Sequence, residues 1–276
     1  VGYPLEGMLT PNSKVSRTCM IQVNGGEFAN LLSAVCMDSP PVPVKILFEN
    51  EGISISGLNV AKTMQAILTR WPVSGLKVKE PCVLLADPKE LGDIVRAKSR
   101  GEMVRISTNA SQPISISTKI NGGAEVMPAE EEDCLIIPDR WLMPKNEKGQ
   151  VLFPMFDNEP ATHSATISLQ ELRKGVHEQL TAKAPYVVIT FDKKGEARSG
   201  HWSGKQVRSW TPLEMDIHGE PFKVAFTESL KTVLSVFGTT TTQVKVSKHE
   251  KGQFAVLESI DGNNTTVVAT EAIKEV

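Results

Sequence analysis

No run in this chain approaches the roughly 18 consecutive apolar residues of a membrane-spanning helix, so no anchor of that kind is expected. The first residues, Val1-Gly2-Tyr3-Pro4, lack the basic and apolar regions of a secretory signal. The expected address is cytoplasmic, with a nucleoid or a phage-infected host cytoplasm as compatible settings. Cysteine is scarce: Cys19, Cys36, Cys82 and Cys134 form no C-x-x-C pair and have no histidine at zinc-ligand spacing. They read as reduced core residues. The 5 histidines, His163, His177, His201, His218 and His249, are scattered without H-E-x-x-H or His-x-His, so neither a metal nor a cofactor is expected. A charge excess is also missing, since 30 Lys and Arg against 32 Asp and Glu leave −2. That balance excludes a uniformly basic nucleic-acid coat, and any DNA contact would need basic residues gathered on one surface.

Signatures of catalysis are missing too. There is no G-x-S-x-G elbow, and Gly200-His201-Trp202-Ser203-Gly204-Lys205-Gln206 has three residues between its glycines where a phosphate loop has four. Glu131 and Glu132 sit in an acidic run where the desolvation that tunes a carboxylate is not expected, and Glu171 and Glu178 read as surface charges. The chain is expected not to be an enzyme. Asn109-Ala110-Ser111 and Asn264-Thr265-Thr266 fit the glycosylation pattern but, without an export signal, read as turns.

What the chain does have is length and repetition. Its 276 residues suggest about two domains, and 40% hydrophobic with 22% charged residues suits a packed protein. One pattern occurs four times: a short alternating strand, a polar break, an amphipathic helix, then hairpin-connected strands. The first copy opens at Thr18 to Val23, has a helix near Gly26 to Cys36 and strands at 44–49, 52–57 and 61–71. The second opens at Cys82 to Leu85, and Asp87-Pro88 supplies an N-cap and first-turn proline for a helix through Ser99 with Leu91, Ile94 and Val95 as its buried stripe. Strands at 103–108 and 113–120 follow. The third has Ala165 to Ser168, a helix bearing Leu172, Val176 and Leu180, and strands from Tyr186 through Pro212. The fourth has Phe222 to Phe226, a helix over 228–237, and strands at 242–247, 253–260 and 265–270.

The reading is an α+β protein of an arm at 1–17, a domain at 18–128, a connector at 129–163 and a second domain at 164–276. Each domain has two strand-helix-sheet halves, with helices on one face of antiparallel sheets. Pro128, Pro138, Pro144, Pro154 and Pro160 and the acidic run Glu130 to Asp133 mark the connector as irregular, although Cys134 to Ile137 and Val151 to Phe153 are apolar enough to dock on a domain.

This pattern resembles DNA polymerase sliding clamps, both the bacterial beta and the proliferating cell nuclear antigen types. The wording that carries the resemblance is Phe28-Ala29-Asn30-Leu31-Leu32-Ser33-Ala34-Val35-Cys36, then the hairpin from Phe48 to Gly57, and Phe222-Lys223-Val224-Ala225-Phe226 before its helix. The resemblance implies a two-domain chain of which three form a ring, a homotrimer with helices lining a hole for duplex DNA. It implies closure through edge segments around 124–137 and 202–211, and a DNA polymerase and a clamp loader as partners.

An inner helix lining needs cations, because phosphate contact is electrostatic and sequence-independent. The second helix carries Lys89, Arg96 and Arg100 opposite its apolar stripe, with Lys98 near the edge; the third carries Arg173, Lys174, His177 and Lys183; the fourth carries Lys231. The first helix has no Lys or Arg. Such residues on a helix face are most simply solvated charges, and it is the repeat that favours DNA contact for the second and third helices. The resemblance also implies an outer apolar client pocket. Leu135, Ile136, Ile137, Trp141, Leu142 and Met143 of the connector and Val267, Val268 and Ala269 of the tail are the candidates; the same side chains would equally serve to tack the connector to its own domain. Two other readings stay open: a non-enzymatic β-rich interaction or assembly protein, and a clamp-like monomer that holds DNA without closing a ring.

Overall fold

The computed structural model describes residues 16–37, 41–58, 64–109, 112–131, 133–134, 145–153, 156–181, 186–200, 210–227, 229–238, 241–260 and 265–270. They fall into two compact units, one of residues up to 60 with 66–137, the other of 61–65 with 138–276.

In the first unit the elements are β1 (Thr18–Asn24), α1 (Gly25–Val35), β2 (Val44–Glu49), β3 (Gly52–Leu58), β4 (Met64–Trp71), β5 (Lys77–Val78), β6 (Cys82–Ala86), α2 (Pro88–Ser99), β7 (Met103–Asn109), β8 (Ile114–Ser117) and β9 (Gly123–Val126). They build sheet segments of order β5-β1-β7-β8-β9 and β4-β3-β2-β6. Each half lends its opening strand to the other half's sheet. β1 runs antiparallel to β7, from Thr18 opposite Asn109 to Asn24 opposite Met103. β6 runs antiparallel to β2, from Val44 opposite Ala86 to Phe48 opposite Cys82. Strict alternation turns Cys19, Ile21 and Val23 of β1 and Val104, Ile106 and Thr108 of β7 inward.

The two helices start where the sequence provides caps. Asn24 Oδ1 accepts from the Glu27 N–H at 3.0 Å, and Asp87 Oδ1 accepts from the N–H groups of Lys89 at 2.8 Å and Glu90 at 2.9 Å. They pack in opposite directions on glycines. A Cβ on Gly25, at the start of α1, would lie 2.2 Å from Ser99 Cβ at the end of α2, and one on Gly92 would lie 3.4 Å from Leu32 Cβ. Phe28, Ala29, Leu31, Leu32 and Val35 of α1 and Leu91 and Val95 of α2 are buried, while Ile94 is half-buried.

The second unit holds β10 (Leu152–Phe153), β11 (Glu159–Pro160), β12 (His163–Ser168), α3 (Leu169–Thr181), β13 (Tyr186–Phe191), β14 (Glu196–Gly200), β15 (Trp210–Pro212), β16 (Met215–His218), β17 (Phe222–Thr227), α4 (Ser229–Val233), β18 (Gln243–Lys248), β19 (Phe254–Ser259) and β20 (Thr265–Thr270). The same exchange recurs: β12 pairs β18, β17 pairs β13, and the orders are β15-β14-β13-β17 and β16-β12-β18-β19-β20. The last helix departs from the expected continuous 228–237. α4 tightens after Val233 into a 3-10 turn, Leu234–Phe237, that stops at Gly238 with φ 66°. Thr232, Val233 and Val236 are β-branched and stiff at χ1, which disfavours regular α-helix.

Val151 to Phe153 dock as the sequence allowed. Val151 and Phe153 are buried with Val256 and Val268, and Phe156, Ala161 and Phe254 pack around them. The His249 ring stacks on Phe156 at 4.6 Å and its Nε2 lies 3.0 Å from Glu159 Oε2. Gly252 leaves the space, since a Cβ there would lie 2.7 Å from Phe156 Cε2.

Candidate nucleic-acid interface

In the first unit the basic residues of α2 have distinct surroundings. Lys89 Nζ lies 2.7 Å from Asp93 Oδ2 one turn on, which raises the lysine pKa and lowers that of the carboxylate. Arg96 leaves its own helix: Nη2 donates to Ser33 Oγ at 2.9 Å, Ala29 O at 3.4 Å and Asn30 Oδ1 at 3.5 Å, all on α1. Its side chain stays 51% exposed. The face of α1 without a Lys or Arg of its own thus receives a guanidinium from α2. Arg100 is exposed and caps α2 in left-handed backbone, φ 44°; Lys98 is half-buried, and neither has an acidic partner among the described residues.

The second unit repeats the device at a different helix pair. Arg173 Nη2 of α3 donates to Leu234 O at 2.9 Å and Gly238 O at 3.3 Å, at the first residue and the C-cap of the 3-10 turn after α4. Partial burial lowers its pKa, but a guanidinium starts so high that it stays charged. Lys174 is exposed, 3.9 Å from Glu171 Oε1. His177 and Lys231 are exposed. Lys183 lies outside the described residues.

Leu135, Ile136, Ile137, Trp141, Leu142 and Met143 also lie outside the described residues. Val267, Val268 and Ala269 are described, and they are fully buried in β20. Val268 packs with Val256 and with Val151 and Phe153 of the connector. Among the described residues no group of three or more His, Cys, Asp or Glu is disposed to hold a metal ion, and no helix is long and apolar enough to cross a membrane.

Among the strands that end a sheet are β9 in the first unit and β15 in the second. Ile120 and Met127 flank β9 and Trp210 opens β15; all three are exposed, Trp210 by 65%. Both strands are tied to the basic helix of their own half. Asn121 Nδ2, just ahead of β9, donates to Lys98 O at 2.9 Å. Thr211 Oγ1 of β15 donates to Glu178 Oε2 and accepts from the buried Gln179 Nε2 at 2.9 Å. These braces were not read from the sequence; the one available signal was a Gln at a helix position facing the core, easily taken for a surface residue.

No family model and no curated protein matches the chain by sequence. Its similarity is to solved structures. The A. fulgidus PCNA, solved with the C-terminal region of FEN-1, superposes at TM-score 0.67 and 12% identity over 94% of this chain and 100% of that one. The chain has the sliding-clamp fold. Proliferating Cellular Nuclear Antigen from Entamoeba histolytica gives TM-score 0.64 at 9% identity, over 94% of this chain and 100% of its own. DNA polymerase III subunit beta from Borrelia burgdorferi gives 0.66 at 13%, covering 99% of this chain but 67% of the beta chain. The clamp fold explains the mostly antiparallel sheets with helices confined to one position per half.

Proposed function

We propose that three copies of this chain join head to tail into a ring around duplex DNA and tether a polymerase, with no active site of their own. The observation that carries this reading is that two of the sheet-ending strands, β9 and β15, bear or adjoin large exposed apolar side chains. An unpaired sheet edge is an open template for another strand. β9 with exposed Ile120 and Met127, and β15 with exposed Trp210, offer two different edges on one chain. Contact between different surfaces of identical subunits repeats until it closes or runs on as a filament, and three two-unit chains give the sixfold arrangement of a clamp.

The basic residues support the second part. Lys89, Arg96, Lys98, Arg100, Arg173, Lys174, His177 and Lys231 all lie on or at the ends of helices, and all but the half-buried Lys98 are exposed. Such a lining attracts phosphates without reading bases. Lys183, in the same stretch of sequence, extends the proposal. Polymerase and clamp loader are the proposed protein partners, docking through connector residues 135–137 and 141–143, and the cytoplasm is the proposed compartment.

The test separates topology from affinity. Solution mass is expected near three times the 30.1 kDa chain. Loaded protein is expected to persist on nicked circular DNA and to slide off when that DNA is linearised. Equal loss from both templates would overturn encirclement, and a monomer that still binds linear DNA at low salt would support a clamp-like monomer instead.

A further inference from the structure

Cys19 of β1 and Cys82 of β6 belong to different sheets of the first unit, yet their thiols meet. β5 covers the edge of β1 at Ile21 and Gln22, leaving the stretch before them to face the start of β6. The strands are stitched together there: the Val83 N–H donates to Ser16 O at 2.9 Å, the Lys79 N–H donates to Met20 O at 3.3 Å, and Ser16 bridges Cys82. Cys19 Sγ lies 3.6 Å from Val83 O. Both cysteines are buried, at the start of their strands, where Ser16, Arg17 and Pro81 are exposed.

We propose that Cys19 and Cys82 form a dithiol modification site that a peroxide oxidises to a disulfide joining the two sheets of the first unit. The two thiols hydrogen-bond each other, and whichever loses its proton is the nucleophile. That thiolate takes one oxygen of the peroxide as the O–O bond breaks, leaving a sulfenic acid and, for hydrogen peroxide, a hydroxide that is protonated to water. The other thiol then attacks the sulfenic sulfur. The S–S bond forms, the S–O bond breaks, and a second water carries away the oxygen with that thiol's proton. Two thiols lose two electrons and one peroxide gains them. Cys134 does not compete, because burial pushes its thiol up to about 11.

The experiment treats the full chain with hydrogen peroxide, alkylates the remaining thiols after unfolding, and maps peptides without reduction. The expected result is a peptide joining Cys19 to Cys82, a mass loss of two hydrogens and return of both thiols on reduction, with Cys36 and Cys134 alkylated. In Cys19→Ser a sulfenic-acid trap is expected to label Cys82. If that variant fails to fold, Cys19→Ala serves for the trap, and the parent's peptide map decides by itself. Alkylation of both Cys19 and Cys82 after peroxide would overturn the proposal. So would a link that forms as fast in the urea-unfolded chain, because the folded juxtaposition would then contribute nothing.

Discussion

Arg96 and Arg173 show how a basic residue read as a surface charge can hold two helices together. Each keeps its charge while its donors are committed to a neighbouring helix. Sequence pattern finds the charge and the face but not the reach of a long side chain, which depends on the partner helix. Arg173→Ala removes donors to the carbonyls of Leu234 and Gly238 and is expected to cost about 2 kcal/mol, read as a lower urea midpoint with an unchanged slope. Arg173→Lys keeps the positive charge but loses the planar fork, so its stability is expected to remain below that of the parent. Full stability in both variants would leave Arg173 as a surface charge alone.

Glu131 belongs to the acidic run that the sequence suggested was merely solvated. Its carboxylate instead pairs with Lys45 at 3.0 Å and with Arg17, and these bonds, led by Lys45, hold its pKa below the ordinary 4.5. The ionised form is favoured by folding, so the stabilisation is present above that ordinary value and is lost as pH falls through the lower folded one. Glu131→Gln is expected to lower Tm slightly at pH 7, and the gap to the parent is expected to close as pH falls below about 4.5. The effect is small because the Glu131 side chain is 41% exposed and solvent screens the pair. A Tm gap that persists unchanged at low pH would sink the assignment.

At the scale of elements, strand and helix positions were largely legible because period-two and helical patterns speak directly about which side is buried. Asp87-Pro88 announced α2, and Phe28, Leu31, Leu32 and Val35 marked the buried side of α1. What periodicity does not encode is the neighbour. Nothing in Thr18–Asn24 says that β1 pairs with β7 of the other half, or that β6 returns to β2. Val267 to Ala269 are buried for a reason the pattern does not name, since an apolar strand looks alike whether it fills a core or awaits a client. The Gly25-Gly26 pair tests the helix packing that results. Gly25→Ala forces a methyl into Ser99 and is expected to cost about 1–3 kcal/mol. Gly26→Ala meets only Asn24 Oδ1 at 3.4 Å and Gly101 Cα at 3.8 Å, so it is expected to be neutral or slightly stabilising through helix propensity. Equal losses from the two changes, read by urea unfolding, would contradict the close approach of α1 and α2.

For the whole molecule, a net charge of −2 conceals an uneven distribution, with acidic residues gathered at 130–133 and cations along the helices. Length suggested two domains and the fourfold pattern divided them, but ring closure depends on surfaces of more than one copy and so is not written in any one segment. The proposed lining separates into cations with structural duties and cations without them. Arg96 and Arg173 brace helices, whereas Lys98, Arg100, Lys174 and Lys231 have no side-chain hydrogen bond to another helix among the described residues. Changing these four to Gln is therefore expected to leave unfolding nearly unaltered while weakening DNA binding at low salt. Every phosphate that the variant no longer neutralises reduces the steepness of log affinity against log salt by about 0.9. Fluorescence anisotropy with a short duplex over a salt series reads that slope. A slope equal to the parent's, with folding intact, would return all four to the solvent and remove the electrostatic half of the clamp reading, while leaving the edge-strand half to be judged by solution mass.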